Sequence, residues 1–583
     1  MRILFLTHSF NSLTQRLFAE LRSGGHEVSV EFDIADSVTE EAVTLFAPDL
    51  VVAPFLKRAI PAAIWSKHLC FIVHPGIPGD RGPSSLDWAI QEGEPTWGVT
   101  VLQAEAEMDA GPVWATVEFP LRRGSKASIY RNEVTEAACQ AVLQAVQRLP
   151  EATARHWAPW RPEDAPAECC PVRGRARPLL KQADRAIDWQ RDDSKTVLRK
   201  ISAADGVPGV ADFLFGVPCH LFDAWPEARL RGTPGQVIAW RETALLRATA
   251  DGAVWLGHLK RQGGFKLPAT LAFATEVTGV PESPLNGFWT ADHDTWQDIR
   301  YAEQDHVGFL HFEFYNGAMG TQQCHRLRAA FEWAQTRPTR VIVLAGGEDF
   351  WSNGIHLNLI EHAASPSDES WANINAIDDL AEAILRCESQ ITVAALHGNT
   401  GAGGCFLARA ADLVWVRDGV MLNPHYKNMG NLYGSEFWTY LLPPRVGRDG
   451  AQRIMQQRLP MTANEAVAIG FYDARIGCQI ATPAADGFAA QVAQRAAQLA
   501  TATDYLQRLA AKRARRAADE AVKPLAAWRA EELAQLRRNF YGFDPSYHYA
   551  RHHFVHKVPH AWTPRHLARH RDLRDSPVRL RMP

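Results

Sequence analysis

The chain has 583 residues, of which 46% are hydrophobic, 10% aromatic and 22% charged. This excludes a wholly disordered or fibrous chain, and the length exceeds one ordinary domain. A formal net charge of -3 and a pI near 6.7 give no electrostatic case for nucleic acid or an anionic membrane as a partner.

Nine cysteines are thinly spread, and Cys169-Cys170 is the one adjacent pair. That pattern argues against a disulfide framework and against structural zinc. The opening MRILFLTHSFNS turns polar too soon for a signal peptide and reads as a buried strand. No apolar run approaches a membrane span. A reducing cytoplasm is the expected setting.

Arg2 to Thr7 reads as a first strand, and Leu13 to Ser23 as a helix ended by Gly24-Gly25. Val28 to Phe32, Asp49 to Pro54 and Cys70 to His74 read as further buried strands. Strands alternating with helices predict a parallel α/β sheet with ligands at the C-terminal strand ends. The turn after the first strand, Thr7-His8-Ser9, lacks the glycine-rich dinucleotide fingerprint. Residues 151–178, rich in proline and mixed charge, read as a linker after a domain over 1–150. Short alternating segments with Gly/Pro turns predict a small β-rich, barrel-like module over 179–285.

An α/β pattern returns over 286–500, with strand runs Arg340 to Leu344 and Ile391 to Leu396 and a helix over Asn373 to Leu385. The tail, 501–583, opens as an Ala/Arg-rich helix and ends in an aromatic, basic segment. Its histidines, His548, His552, His553, His556 and His560, show no ligand spacing with acids or cysteines, so no metal is expected there.

Two stretches carry chemistry. In the first, a buried strand delivers His74 to its end, an irregular Pro/Gly loop follows, and Asp109 lies in a later turn. An imidazole moves protons near neutral pH, and a carboxylate orients it and stabilises its charged form. The bland alternative is a structural His and a turn Asp. In the second, RVIVLAGGEDFWSNGIHLN and ITVAALHGNTGAGGCFLARAADLVWV each pair a strand with a glycine-rich turn. Such turns let backbone N–H groups approach a ligand, and two of them can aim donors at one carbonyl oxygen.

The ordered set His74, Arg81-Gly82, Gly98-Val99-Thr100 and Asp109-x-Gly111 resembles the formyltetrahydrofolate-dependent formyltransferase family. Arg185-Ala186-Ile187-Asp188-Trp189 and Gly232-x-Pro234-Gly235 look like that family's C-terminal domain, so the resemblance covers about residues 1–275. It implies catalysis by His74 and Asp109, with Arg81 and Gly82 in the folate-site loop. One departure stands out: the family's oxyanion-binding Asn falls at Ile72. Losing one such donor typically costs about a hundred- to a thousandfold in rate. A thiol acceptor, attacking as thiolate, needs less help.

Residues 300–500 resemble the enoyl-CoA hydratase/isomerase (crotonase) family through Trp351 to Leu357, Gly398 to Ala408, and Ala463 to Gly470 followed by Phe471. The match implies that the N–H groups of Asn353 and Gly403 hold a thioester oxygen, with Ser352, Gly354 and Gly404 in the same turns. The two hydratase glutamates fall at Phe406 and near His425, so water addition to a double bond is not expected. His425, Tyr426, Tyr433 and Glu436 remain as proton carriers, or alternatively as hydrogen-bonded loop residues.

The pairing of the two domains is similar to a family of hydrogenase maturation factors. It implies formyl transfer from 10-formyltetrahydrofolate to coenzyme A, then loss of carbon monoxide for a nickel-iron hydrogenase. Folate and CoA would be substrates, and hydrogenase or its maturation proteins possible partners. The alternatives are a formyltransferase acting on a sugar or tRNA amine, and a non-catalytic folate- and CoA-binding scaffold.

Overall fold

A computed structural model describes residues 1–164, 172–477 and 487–572. Cys169, Cys170 and Cys478 lie outside the described residues; Cys70, Cys139, Cys219, Cys324, Cys387 and Cys405 are buried free thiols. The chain divides into two compact units, one of residues 1–186, 199–211 and 559–583, the other of 187–198 and 212–558. The stretch read as a single tail, 501–583, is therefore divided between them.

The first unit is built on a six-stranded sheet of order β2-β1-β3-β4-β5-β6. Its strands are β1 (Arg2–Thr7), β2 (Glu27–Phe32), β3 (Leu50–Phe55), β4 (Cys70–His74), β5 (Thr96–Gln103) and β6 (Val113–Pro120). β1 to β4 pair in parallel, as the strand–helix alternation implies, but β5 and β6 run antiparallel. Packed helices are α1 (Ser12–Ser23), α2 (Asp36–Phe46), α3 (Ser85–Glu92) and α4 (Thr135–Thr153).

β2 would leave an open sheet edge, and exposed edges invite pairing with other chains. Residues 563–571 cover it. Val30 N donates to Leu567 O at 3.0 Å, and Phe32 N to Thr563 Oγ1 at 2.8 Å. Buried Glu31 pairs there with His570 at 2.8 Å and Arg571 at 2.6 Å.

The expected β-rich module is a sheet of order β7-β8-β11-β10-β9, with β12 on β11, and lies in the second unit from Asp212 onward. Its strands are β7 (Val210–Leu214), β8 (Val217–Glu227), β9 (Val237–Arg241), β10 (Ala244–Ala248), β11 (Ala253–Arg261) and β12 (Leu267–Pro268). A further sheet, β13-β14-β15-β17-β19-β22, and a small one, β16-β18-β20-β21, make up the rest. These strands are β13 (Ile299–Gln304), β14 (Val307–Phe312), β15 (Val341–Gly346), β16 (Phe350–Ser352), β17 (Ile391–Leu396), β18 (Asn399–Gly401), β19 (Leu413–Arg417), β20 (Met421–Asn423), β21 (Met461–Thr462) and β22 (Ala474–Ile476).

Its main helices are α5 (Thr321–Gln335), α6 (Pro366–Leu385), α7 (Gly403–Arg409), α8 (Pro443–Gln457), α9 (Phe488–Thr501), α10 (Tyr505–Val522), α11 (Leu525–Tyr541) and α12 (Ser546–Val555). α6 starts seven residues before the helix read from sequence, where Ser365 caps it, Pro366 opens it and Asp368 and Glu369 fill its first turn.

The small sheet positions the second site. β16, β18 and β20 are parallel neighbours. Their C-terminal ends therefore release three turns side by side: 353–356, 402–403 and 424–437.

Candidate functional sites

His74 ends β4 with its ring buried. Its Nδ1 lies 3.6 Å from Asp109 Oδ1, so the expected pair is brought together as an ion-pair contact. Its Nε2 meets Asp80 Oδ1 at 2.9 Å. Asp80 was not among the residues picked out in the sequence, yet it is the nearer partner and almost fully buried. An imidazole between two carboxylates can donate from either ring nitrogen.

The loop is held by its neighbours. Thr100 Oγ1 donates to Gly76 O at 2.8 Å, and Trp97 Nε1 and Ser85 Oγ both donate to Pro75 O at 2.9 Å. A side chain at Gly76 would strike the His74 ring, with its Cβ only 2.5 Å from Nε2. Gly82 has φ +124, and its N–H reaches Asp109 Oδ2 at 3.3 Å. Arg81 Nη1 donates to Glu107 Oε1 at 2.8 Å. His74, Ile77, Asp80, Thr100, Asp109 and Gly111 line one cleft. Ile72 packs in the apolar cluster beneath the sheet and offers no donor.

In the second unit the two glycine-rich turns face each other: a Cβ on Gly354 would lie 3.4 Å from Gly403 N. The expected donor on the first turn needs correction. Asn353 N–H already donates to Gly317 O at 2.7 Å, and its side-chain Nδ2 to Asn316 O at 2.8 Å. Gly354 N–H donates to Ser352 Oγ at 3.1 Å. Among the described residues, Ile355 N–H has no acceptor, nor has Gly403 N–H. Ile355, not Asn353, is thus the residue of that turn with a free N–H, two positions from the one read off the sequence.

The hydratase-glutamate position, Phe406, is core. Its ring stacks on Tyr426 at 5.8 Å between centroids, a contact worth about 0.5–1.5 kcal/mol beyond area burial. The stack fixes Tyr426, whose hydroxyl donates to Glu436 Oε2 at 2.6 Å. Gly434, at φ +90, must lack a side chain, because a Cβ would sit 2.0 Å from the Tyr426 ring. Glu436 lies against the start of α7: its Oε1 is 1.9 Å from where a Cβ on Gly403 would be. Burial, then the neighbouring Asp378, push the Glu436 carboxyl well above the ordinary range. Burial likewise pushes the Tyr426 phenol up.

The other expected proton carriers are placed differently. His425 is buried beside Tyr426 in the chain. Tyr433 is half-buried, packs its ring on Trp438 at 5.5 Å, and its N–H donates to Asn539 Oδ1 at 3.1 Å. In the tail, an acid that the sequence spacing does not reveal joins two histidines. Glu361 Oε1 lies 2.8 Å from His552 Nδ1 and 3.2 Å from His556 Nε2. Arg551, at 2.7 Å, already compensates that carboxylate.

Residues 31–146 match the formyl transferase family, 179–275 its C-terminal domain, and 314–563 the enoyl-CoA hydratase/isomerase family. The hydrogenase maturation factor HoxX of Bradyrhizobium diazoefficiens is 53% identical over 99% of both chains. The chain belongs to the HoxX family of hydrogenase maturation factors. Crystalline HypX from Aquifex aeolicus, in complex with tetrahydrofolic acid, is similar along its whole length. It is 46% identical with a TM-score of 0.93, and the match covers 99% of this chain and 100% of that one. Methionyl-tRNA formyltransferase of Dechloromonas aromatica is 24% identical over 42% of this chain and 76% of its own length. HoxX membership thus joins a formyltransferase domain to a crotonase-like domain in one polypeptide. Among the described residues, no helix is long and apolar enough to cross a membrane.

Proposed function

We propose that this chain makes carbon monoxide in two steps: formyl transfer from 10-formyltetrahydrofolate to the thiol of CoA, then decarbonylation of formyl-CoA. The observation that carries the reading is the buried Tyr426–Glu436 pair set against Gly403, where the hydratase glutamate is replaced by Phe406. The folate bound by HypX of Aquifex aeolicus supports the first substrate. The crotonase-like domain supports the second.

In the first step His74 takes the thiol proton as sulfur attacks the formyl carbon, and returns a proton to the folate nitrogen as the C–N bond breaks. Asp80 and Asp109 hold the ring and compensate the imidazolium between these events. In the second, the N–H groups of Ile355 and Gly403 hold the formyl-thioester oxygen. The C–S bond breaks and Glu436 gives its proton to the departing sulfur. The formyl C–H proton then returns to the Glu436 carboxylate, and its electron pair stays on carbon as CO leaves. The net change is HC(O)–SCoA to CO and HSCoA, with no oxidant and no net proton. Tyr426 holds the carboxyl and shares the proton.

The test is to supply prepared formyl-CoA and measure CO against formate. CO as the main product, lost in Glu436→Gln, is expected. Formate alone would reject the second step.

A further inference from the structure

Glu436 and Phe437 form an unusual pair of consecutive non-glycine residues in the left-handed region, at φ +57 and +60. Left-handed conformations are unfavourable for L-residues, so something must hold them. Two buried carboxyl groups do. Asp378, from α6, accepts Glu436 N–H at Oδ1 (2.9 Å) and Ser435 Oγ–H at Oδ2 (2.6 Å). Glu532, from α11, accepts Phe437 N–H at Oε2 (3.0 Å) and Thr439 N–H at Oε1 (2.8 Å). Asp378 and Glu532 are fully buried. Burying two such groups beside a third carboxyl is expensive, and a polar turn exposed to water would not require it.

Resting on the Glu436 reading above, we propose that Asp378 and Glu532 are positioning residues that clamp the 435–437 turn and aim the Glu436 carboxyl at the thioester carbonyl. The helix α11 is then part of the decarbonylation site, not an appendage to it. Asp378 has a second effect, because its charge favours the protonated form of its neighbour. The groups facing Glu436 are Asp378 from α6, Glu532 from α11, Tyr426 from the loop after β20, Cys405 from α7 and Cys324 from α5; Asp379 and Arg529 act on Asp378 behind them. Arg529 Nε, 3.9 Å from Asp378 Oδ2, works against the burial that raises Asp378 and so favours its charged form.

The experiment uses the full chain with formyl-CoA, reading kcat and KM for CO release across pH. Formyl transfer from 10-formyltetrahydrofolate to CoA serves as an independent readout of the first unit. Glu532→Gln is expected to lower kcat for CO by about 10- to 100-fold with KM little changed, since small misplacement of a reacting group has that effect. Glu532→Asp restores part of it. Asp378→Asn is expected to shift the alkaline loss of activity to lower pH by about half a unit to one unit, which a merely structural role would not do. Wild-type kcat and an unmoved alkaline limb in both variants would overturn the proposal. If Glu532→Gln fails to fold, the Asp378→Asn limb alone decides. Full CO release by Glu436→Gln would instead sink the reading beneath it, whatever the positioning variants did.

Discussion

On the proposed reaction the two sites would face the same task, moving a proton to and from sulfur, with different materials. At the first, the proposed proton carrier is an imidazole, a group whose ordinary range lies near neutrality, with two carboxylates against its ring nitrogens. At the second, the proposed carrier is a carboxyl, which in water would be ionised at neutral pH. There the protein adds burial and further carboxylates, which raise it. The first site needs charge nearby, and a loop can supply that. The second needs charge withheld from water, and only a packed core with long-range partners can supply that.

The largest effects should separate the two sites. Glu436→Gln is expected to reduce CO release by about a thousandfold while formyl-CoA still forms and accumulates, as mass spectrometry of the CoA pool would show. Equal loss of both products would break the division of labour. Conversely, His74→Ala or Asp80→Asn should lower formyl transfer by about a hundredfold or more, yet leave the decay of supplied formyl-CoA to CO unchanged. Gly403→Ala pushes a methyl into the Glu436 carboxyl and should cost about a hundredfold in CO release, measured with the same assay.

A smaller effect concerns stability. Burial pushes Glu532 from 4.5 up to about 8 in the native chain. Between those values the folded chain holds a proton that the unfolded chain has released. The stabilisation from this group is complete below 4.5 and is lost as pH rises through about 8. Thermal melts from pH 5 to 8 should therefore show a decline that Glu532→Gln flattens. Least of all, Tyr433→Phe should leave CO release within about twofold, because that ring packs on Trp438 and the Tyr426 hydroxyl holds Glu436.

What the sequence revealed follows from range. The βαβ alternation, His74 at a strand end and the glycine-rich turns are local patterns, and each is found where its spacing implies. The antiparallel pairing of β5 was hidden because a strand buried on both faces looks alike whichever way it pairs. Asp80 sits in an irregular Pro/Gly loop, and only the folded loop points it at His74. Asn353 was read as the donor of its turn, but its N–H is already bonded to Gly317 O, a partner thirty-six residues away that no local pattern shows. Glu532 lies ninety-five residues beyond the backbone N–H it holds, on a helix of the tail for which the sequence suggested no role. No local pattern carries such a partnership. Tyr426, Tyr433, His425 and Glu436 stood as equals in sequence, and it was the hydrogen bond and the stack on Phe406 that brought out Tyr426 and Glu436.

The most direct test supplies the purified chain with 10-formyltetrahydrofolate carrying a labelled formyl carbon, together with CoA. Labelled carbon monoxide that appears only when both substrates are present is the expected result. Consumption of the folate donor with neither formyl-CoA nor labelled CO would contradict the two-step reaction.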